Sequence, residues 1–135
     1  MPHLTIEYSG NLREQGRFSQ LCNDLARALA TQSFDNKLVY PLAGIRVRAI
    51  EVDAFCIANG QVSAAFVHAN LKIGAGRPEV VKQATGDALF AIMTHHFEPL
   101  DEQVDIALSL ELNEFSEAGT WKKNKLHARL AAEKK

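Results

Sequence analysis

The sequence predicts an α/β chain, α+β in schemes that set mixed sheets apart, built as two successive strand-helix-strand units. Four segments alternate apolar and polar residues at period two, two segments between them carry apolar residues at helical spacing, and the order strand, helix, strand occurs twice. With 135 residues and 14.9 kDa the chain suits one domain, residues 1–135, around one core.

The elements follow in order. Leu4, Ile6 and Tyr8 alternate with His3, Thr5 and Glu7, the pattern of a half-buried strand. Phe18, Leu21, Cys22, Leu25, Ala28 and Leu29 then form one face of an amphipathic helix ending near Gln32. A turn-rich stretch, Ser33 to Leu42, leads to a strand in which Ile45, Val47 and Ala49 oppose Arg46, Arg48, Ile50 and Val52. The second unit begins with a strand from Phe66 to Ile73, stopped by Gly74, Gly76 and Pro78. Pro78 suits a helix start and Glu79 its first turn, and Leu89, Ile92, Met93 and His96 carry the helix to about Phe97. Val104, Ile106, Leu108, Leu110 and Leu112 mark the last strand against Asp105, Ala107, Ser109 and Glu111.

Aligning Leu4 with Val67, Phe18 with Val80 and Ile45 with Ile106 gives offsets of 63, 62 and 61 residues, so residues 1–62 and 63–115 read as halves of a duplication, with 116–135 an extension. Crossovers of this length imply parallel pairs within each half, and together a four-stranded sheet with two helices on one face. Leu and Val rows on both faces of so small a sheet predict exposed apolar surface, covered by association of subunits. The extension from Thr120, with the only Trp and many cations, reads as a peripheral helical turn and a frayed basic end.

Composition narrows the function classes. Fifteen Lys and Arg against sixteen Asp and Glu leave a charge of −1, so no overall field draws nucleic acid or anionic membrane. The longest apolar run, Ala88 to Met93, is far below the roughly 18 residues of a membrane span. Glu7 and Arg13 interrupt any secretory signal, which predicts a cytoplasmic protein. Cys22 and Cys56 form no C-x-x-C pair and read as reduced, half-buried thiols. His95 and His96 are adjacent, the wrong spacing to share a metal on a helix, so no metal site is expected. Neither a Walker loop, a dinucleotide G-x-G-x-x-G nor a G-x-S-x-G elbow is present.

Three features remain that carry chemistry. Met1-Pro2 is a start from which the initiator methionine is normally removed, leaving a secondary amine at the head of a strand. An α-amino group titrates at ~7.7–8.0, and burial or nearby cations lower that value, so this amine can serve as a base near neutral pH. Arg46 and Arg48, two apart on a strand, point to one face ~6.8 Å apart and can grip one polycarboxylate or phosphate. The same spacing also fits an exposed edge with ion pairs to Glu7 or Glu51. Gly74-Ala75-Gly76-Arg77-Pro78 lies where a strand gives way to a helix, so free backbone N–H groups and a guanidinium can converge on an anion there. A tight turn that needs flexible residues explains the same glycines.

Met1-Pro2-His3-Leu4-Thr5-Ile6-Glu7-Tyr8-Ser9, Pro41-Leu42-Ala43-Gly44-Ile45-Arg46-Val47-Arg48, and Phe66-Val67-His68 running into Leu71-Lys72-Ile73-Gly74-Ala75-Gly76-Arg77 together resemble the 5-carboxymethyl-2-hydroxymuconate isomerase family of the tautomerase superfamily. Trp121-Lys122-Lys123-Asn124 and His127 resemble the family's ending. The chain departs from that pattern by a longer loop, Asp35 to Tyr40, and a longer basic tail after His127. The resemblance implies the duplicated fold assembled as a homotrimer, with no cofactor. It also implies that Pro2 moves the proton while Arg46 and Arg77, with Arg48 as second choice, bind a small polycarboxylate enol. The implied reaction ketonises 5-carboxymethyl-2-hydroxymuconate to 5-carboxy-2-oxohept-3-enedioate in aromatic compound degradation. Two alternatives stay open: a tautomerase of another 2-hydroxy-enol carboxylate, and a noncatalytic anion-binding or interaction module on the same fold.

Overall fold

The computed structural model describes residues 1–133. Strand β1 (His3–Ser9) leads to helix α1 (Phe18–Thr31), a small hairpin of β2 (Ser33–Phe34) and β3 (Lys37–Leu38), and strand β4 (Arg46–Val52). Strand β5 (Ala64–Gly74), helix α2 (Glu79–Phe97) and strand β6 (Asp105–Phe115) repeat the order, and helix α3 (Lys125–Glu133) closes it. The main sheet runs β4-β1-β5-β6. β1 pairs parallel with β4 and β5 parallel with β6, while the two halves meet antiparallel at β1 and β5. The duplication is thus realised as two β-α-β units about one mixed sheet.

Alternation decides which face of the sheet is dry. Leu4, Ile6, Val67, Ala69, Leu71 and Ile73 are fully buried against Leu21, Leu25 and Leu29 of α1 and Leu89 and Met93 of α2. Each such Leu or Ile contributes ~1.5–3 kcal/mol on burial, so these two layers supply most of the stability. In α2 the buried residues Val81, Thr85, Leu89, Met93 and Phe97 recur every fourth position. Thr85 is admitted to that row because its hydroxyl bonds the buried Tyr40 hydroxyl at 2.9 Å. His96, also buried, donates from Nε2 to the Gly16 carbonyl at 2.7 Å, and Arg17 Nη2 donates to the His96 carbonyl at 2.7 Å. This exchange holds Arg17 at φ 49° just before α1, a left-handed conformation costing a side-chain-bearing residue ~1–2 kcal/mol.

Four expectations need correction. The helix-free face is polar at its centre, where His3, Thr5, Glu7, Arg48, His68, Asn70, Lys72 and Glu111 enclose a depression of about 390 Å³. A half-covered apolar row lies instead at the sheet edge, in a groove between α2 and β6 lined by Phe90, Leu108, Leu110 and Leu112, because no third helix flanks β6 there, and other exposed apolar side chains such as Leu38, Val80 and Trp121 are scattered elsewhere. Within the turn-rich stretch, Asp35 and Asn36 both take positive φ, 51° and 62°, and make the two-residue turn of the β2–β3 hairpin. Of the two free thiols Cys22 is half-buried, but Cys56 is exposed. The helical part of the extension is longer than the single turn expected, since Asn124 accepts the His127 N–H at 3.0 Å, capping α3, and donates to the Ala43 carbonyl at 3.0 Å; the expected frayed basic end, at 134–135, lies outside the described residues. Among the described residues no helix is long and apolar enough to cross a membrane.

Candidate active site

The amino end of β1 lies at the sheet end where the β-α-β connections of both halves converge. Pro2 is buried, and its carbonyl accepts the Arg46 N–H at 3.1 Å, which registers the chain start against β4. Gly44 permits this approach: a Cβ there would stand 3.2 Å from Met1 Cα and 3.6 Å from Pro2 Cδ. Met1, Pro41, Gly44, Lys122, Asn124 and His127 line a pocket of about 280 Å³. Burial first, then the Arg77 and Lys122 cations, lower the Met1 amine below its ordinary 8.0, while Glu117 opposes them. With Met1 attached the Pro2 nitrogen is an amide and has no basic lone pair.

Arg77 is held from three sides. It donates to the Gly74 carbonyl at 3.1 Å and the Val39 carbonyl at 3.3 Å, and its guanidinium lies 4.9 Å over the Tyr40 ring. A guanidinium has five N–H groups, so three remain for a ligand. Arg46 is pinned likewise: Nη1 donates to the Ala43 and Ile45 carbonyls at 2.7 and 3.0 Å, and its other three N–H groups have no partner among the described residues. Asn124, which lines the pocket, donates to the same Ala43 carbonyl as Arg46, while neither Arg46 nor Arg77 is itself among the residues that line it.

Arg48 stands apart. It points onto the polar sheet face, 3.4 Å from His3 Nδ1, and belongs to the depression there rather than to the Met1 pocket. Burial first, then Arg48, the amino terminus, Arg46 and Lys72, hold the His3 imidazole below 6.5. The ion pairs expected to Glu7 or Glu51 are not made, since Glu51 takes Arg13 in a two-pronged pair at 2.6 and 2.5 Å. The structure therefore brings Pro2, Arg77 and Arg46 to one end of the sheet and places Arg48 on its neighbouring open face.

Of the two readings open for the Gly74–Pro78 turn, the structure favours the conformational one over a free anion cradle. The Ala75 N–H is spent on the Phe115 carbonyl at 3.1 Å, and the Gly76 N–H faces the Glu114 carboxylate at 3.4 Å, so an internal anion already occupies that corner. Gly76, at φ 114°, is there for conformation. The turn's contribution is to aim Arg77.

Sequence reasoning assigned no role to Tyr40, Gly44 or Glu117, nor to the segment from Lys122 to His127 beyond its resemblance to the family's ending. One local signal was present for the last: Asn three residues before His127, ahead of Leu126 and Leu130, has the form of a helix cap.

Two β-α-β units on a mixed sheet, with the buried chain start set among cations, define an isomerase of the tautomerase superfamily, and comparisons with known proteins agree. Residues 2–130 match the 5-carboxymethyl-2-hydroxymuconate isomerase family, and the chain belongs to it. It is 39% identical over 128 residues to 5-carboxymethyl-2-hydroxymuconate Delta-isomerase of Escherichia coli, covering 95% of this chain and 98% of that one. The crystal structure of a 5-carboxymethyl-2-hydroxymuconate isomerase from Deinococcus radiodurans R1 superposes with a TM-score of 0.87 at 46% identity, covering 96% of this chain and 93% of the other. A further crystal structure, of a 5-carboxymethyl-2-hydroxymuconate delta-isomerase, gives 0.89 at 31% identity over 96% and 93%.

Proposed function

We propose that the chain, once Met1 is removed, converts 5-carboxymethyl-2-hydroxymuconate to 5-carboxy-2-oxohept-3-enedioate in the cytoplasm, as a step of aromatic catabolism. Pro2 takes the 2-hydroxyl proton and returns it at carbon, so one O–H bond breaks, one C–H bond forms, and the double bonds shift between them. The reaction relocates a proton within one molecule and consumes no second substrate. Arg77 and Arg46 bind the acidic ends of the dienol and stabilise negative charge as it develops on oxygen. The observation that carries this reading is the buried Pro2 at the strand start: burial and the Arg77 and Lys122 cations lower the amine of the attached Met1, and the same surroundings favour the neutral form of the amine that removal of Met1 leaves on Pro2. Family membership and the half-covered Leu108, Leu110 and Leu112 row support assembly as a homotrimer.

The test is ketonisation followed by loss of the dienol's ultraviolet band, on protein whose intact mass shows Met1 absent. Pro2→Ala slows turnover by at least ~10²-fold, the usual contribution of a positioned base, and Arg46→Ala or Arg77→Ala lowers kcat/KM by ~10–100-fold. The base works unprotonated, so kcat/KM rises with pH through an acid limb as the Pro2 amine loses its proton. Wild-type turnover in Pro2→Ala rejects the proline as base.

A further inference from the structure

We propose that Lys122 forms a carboxylate subsite at the wall of the Met1 pocket, selecting substrates that carry an additional carboxylate, and that Glu117 fills this subsite while no ligand is bound. The proposal rests on the acidic-enol reading above and adds a specificity residue to it. Of the side chains lining the pocket, Lys122 is the one with a permanent positive charge. Met1 lines the pocket together with Lys122, Asn124 and His127 and is joined to Pro2, so its loss adds that residue's volume to the pocket and opens it toward the new chain start. Arg46 and Arg77 account for two ends of a tricarboxylate. The third carboxylate needs a separate cation.

Lys122 suits that role because its position is fixed and its partner is exchangeable. On one side Thr120 donates from its hydroxyl to the Ser116 carbonyl at 2.6 Å, and on the other Asn124 is bonded to Ala43. The ammonium has three donors and, among the described residues, one carboxylate partner, Glu117 Oε2 at 3.2 Å. With side-chain exposures of 45% and 58% this is a surface pair, the kind that contributes little to folding and is easily traded for another anion. Glu117 is also placed as a stand-in for ligand: its Oε1 fills the space a side chain on Gly74 would take, and Arg77 Nη1 lies beside the same spot. One carboxylate thus sits between the two cations that weigh on the chain start. Neighbouring Lys123 lines none of this pocket.

The deciding experiment uses Met1-free protein and two variants, Lys122→Met and Glu117→Gln, at a pH above the acid limb. A structural ion pair makes the two variants alike, since each removes the same bridge. An anion subsite makes them opposite. Lys122→Met raises KM for the tricarboxylate dienol by about tenfold, as for loss of one charged hydrogen bond, with kcat little changed. Its KM for a monocarboxylate aryl enol stays within about twofold, because that substrate never reaches the subsite. Glu117→Gln lowers KM for the tricarboxylate. Equal losses on both substrates, or a raised KM in both variants, overturn the proposal. Calorimetry with saturated propane-1,2,3-tricarboxylate gives an arm independent of turnover. If wild-type protein ketonises no enol, the functional reading falls, yet tenfold weaker tricarboxylate binding by Lys122→Met still supports the subsite. Undiminished binding rejects it.

Discussion

Asn124→Ala removes two hydrogen bonds that together fasten the last segment of the chain to the site. Loss of the cap on α3 costs ~1 kcal/mol, and loss of the part-buried bond to the Ala43 carbonyl costs ~1 kcal/mol more. The carbonyl itself is not orphaned, since Arg46 Nη1 still donates to it at 2.7 Å, so no further desolvation penalty arises. About 2 kcal/mol corresponds to a roughly 30-fold increase in the fraction of time α3 is released. The loss is local because α3 contributes no residue to the buried core. Amide hydrogen exchange is the suitable assay: protection across Lys125–Glu133 falls by about that factor, while amides of β1 and β5 keep theirs. KM for an acidic enol rises in parallel, since Lys122 is carried on the same segment. Unchanged exchange in α3, or an equal loss across the central strands, refutes the idea that this one side chain docks the extension.

Other expectations test the scaffold that holds the site. His96 is buried and its imidazole is kept below 6.5, first by that burial, so the unfolded chain takes up a proton that the folded chain resists. The associated stability is full above 6.5 and is lost as pH falls below it, at up to about 1.4 kcal/mol per pH unit. His96→Gln, which can still donate to Gly16, shows a shallower decline in urea unfolding between pH 7 and 5; an unchanged slope assigns the decline to other groups. Tyr40→Phe breaks the buried bond to Thr85 and costs ~1–3 kcal/mol, while Tyr40→Phe with Thr85→Val recovers most of it because neither polar group is then stranded. Thermal unfolding of the single and double variants checks this, and simple additivity argues against the coupling.

The regular elements were legible because their signals are local. Period-two alternation in β1, β4, β5 and β6 and the apolar stripe of α1 place each within a few residues, and duplication of order predicts the mixed sheet. The β2–β3 hairpin was not legible, since strands of two residues are too short to show a period, and its Asp35-Asn36 turn lacks the glycine that usually announces one. The polarity of the open face was misjudged for another reason. Leu108, Leu110 and Leu112 do form an apolar row, but only the strand order places that row at an edge. The Gly74–Pro78 turn shows the same limit: its free N–H groups were plausible until β6 ended with Glu114 and Phe115 beside them.

The order of strands and helices, the buried side of each, the reactive promise of a proline start and the arginines worth testing are properties of short stretches of chain, set by side-chain periodicity and chemistry that no distant residue alters. Which of those arginines share a pocket is a different kind of fact. Residues 1–2, 41–46, 77 and 117–127 are far apart in sequence and meet only after two β-α-β units pair through β1 and β5 and Asn124 ties the extension to Ala43. That meeting separates Arg48 from Pro2, sets Glu114 beside the Gly76 N–H and Glu117 beside Lys122, and brings Lys122 into the pocket that Met1 lines, because charge at a site depends on distances that only the assembled chain sets.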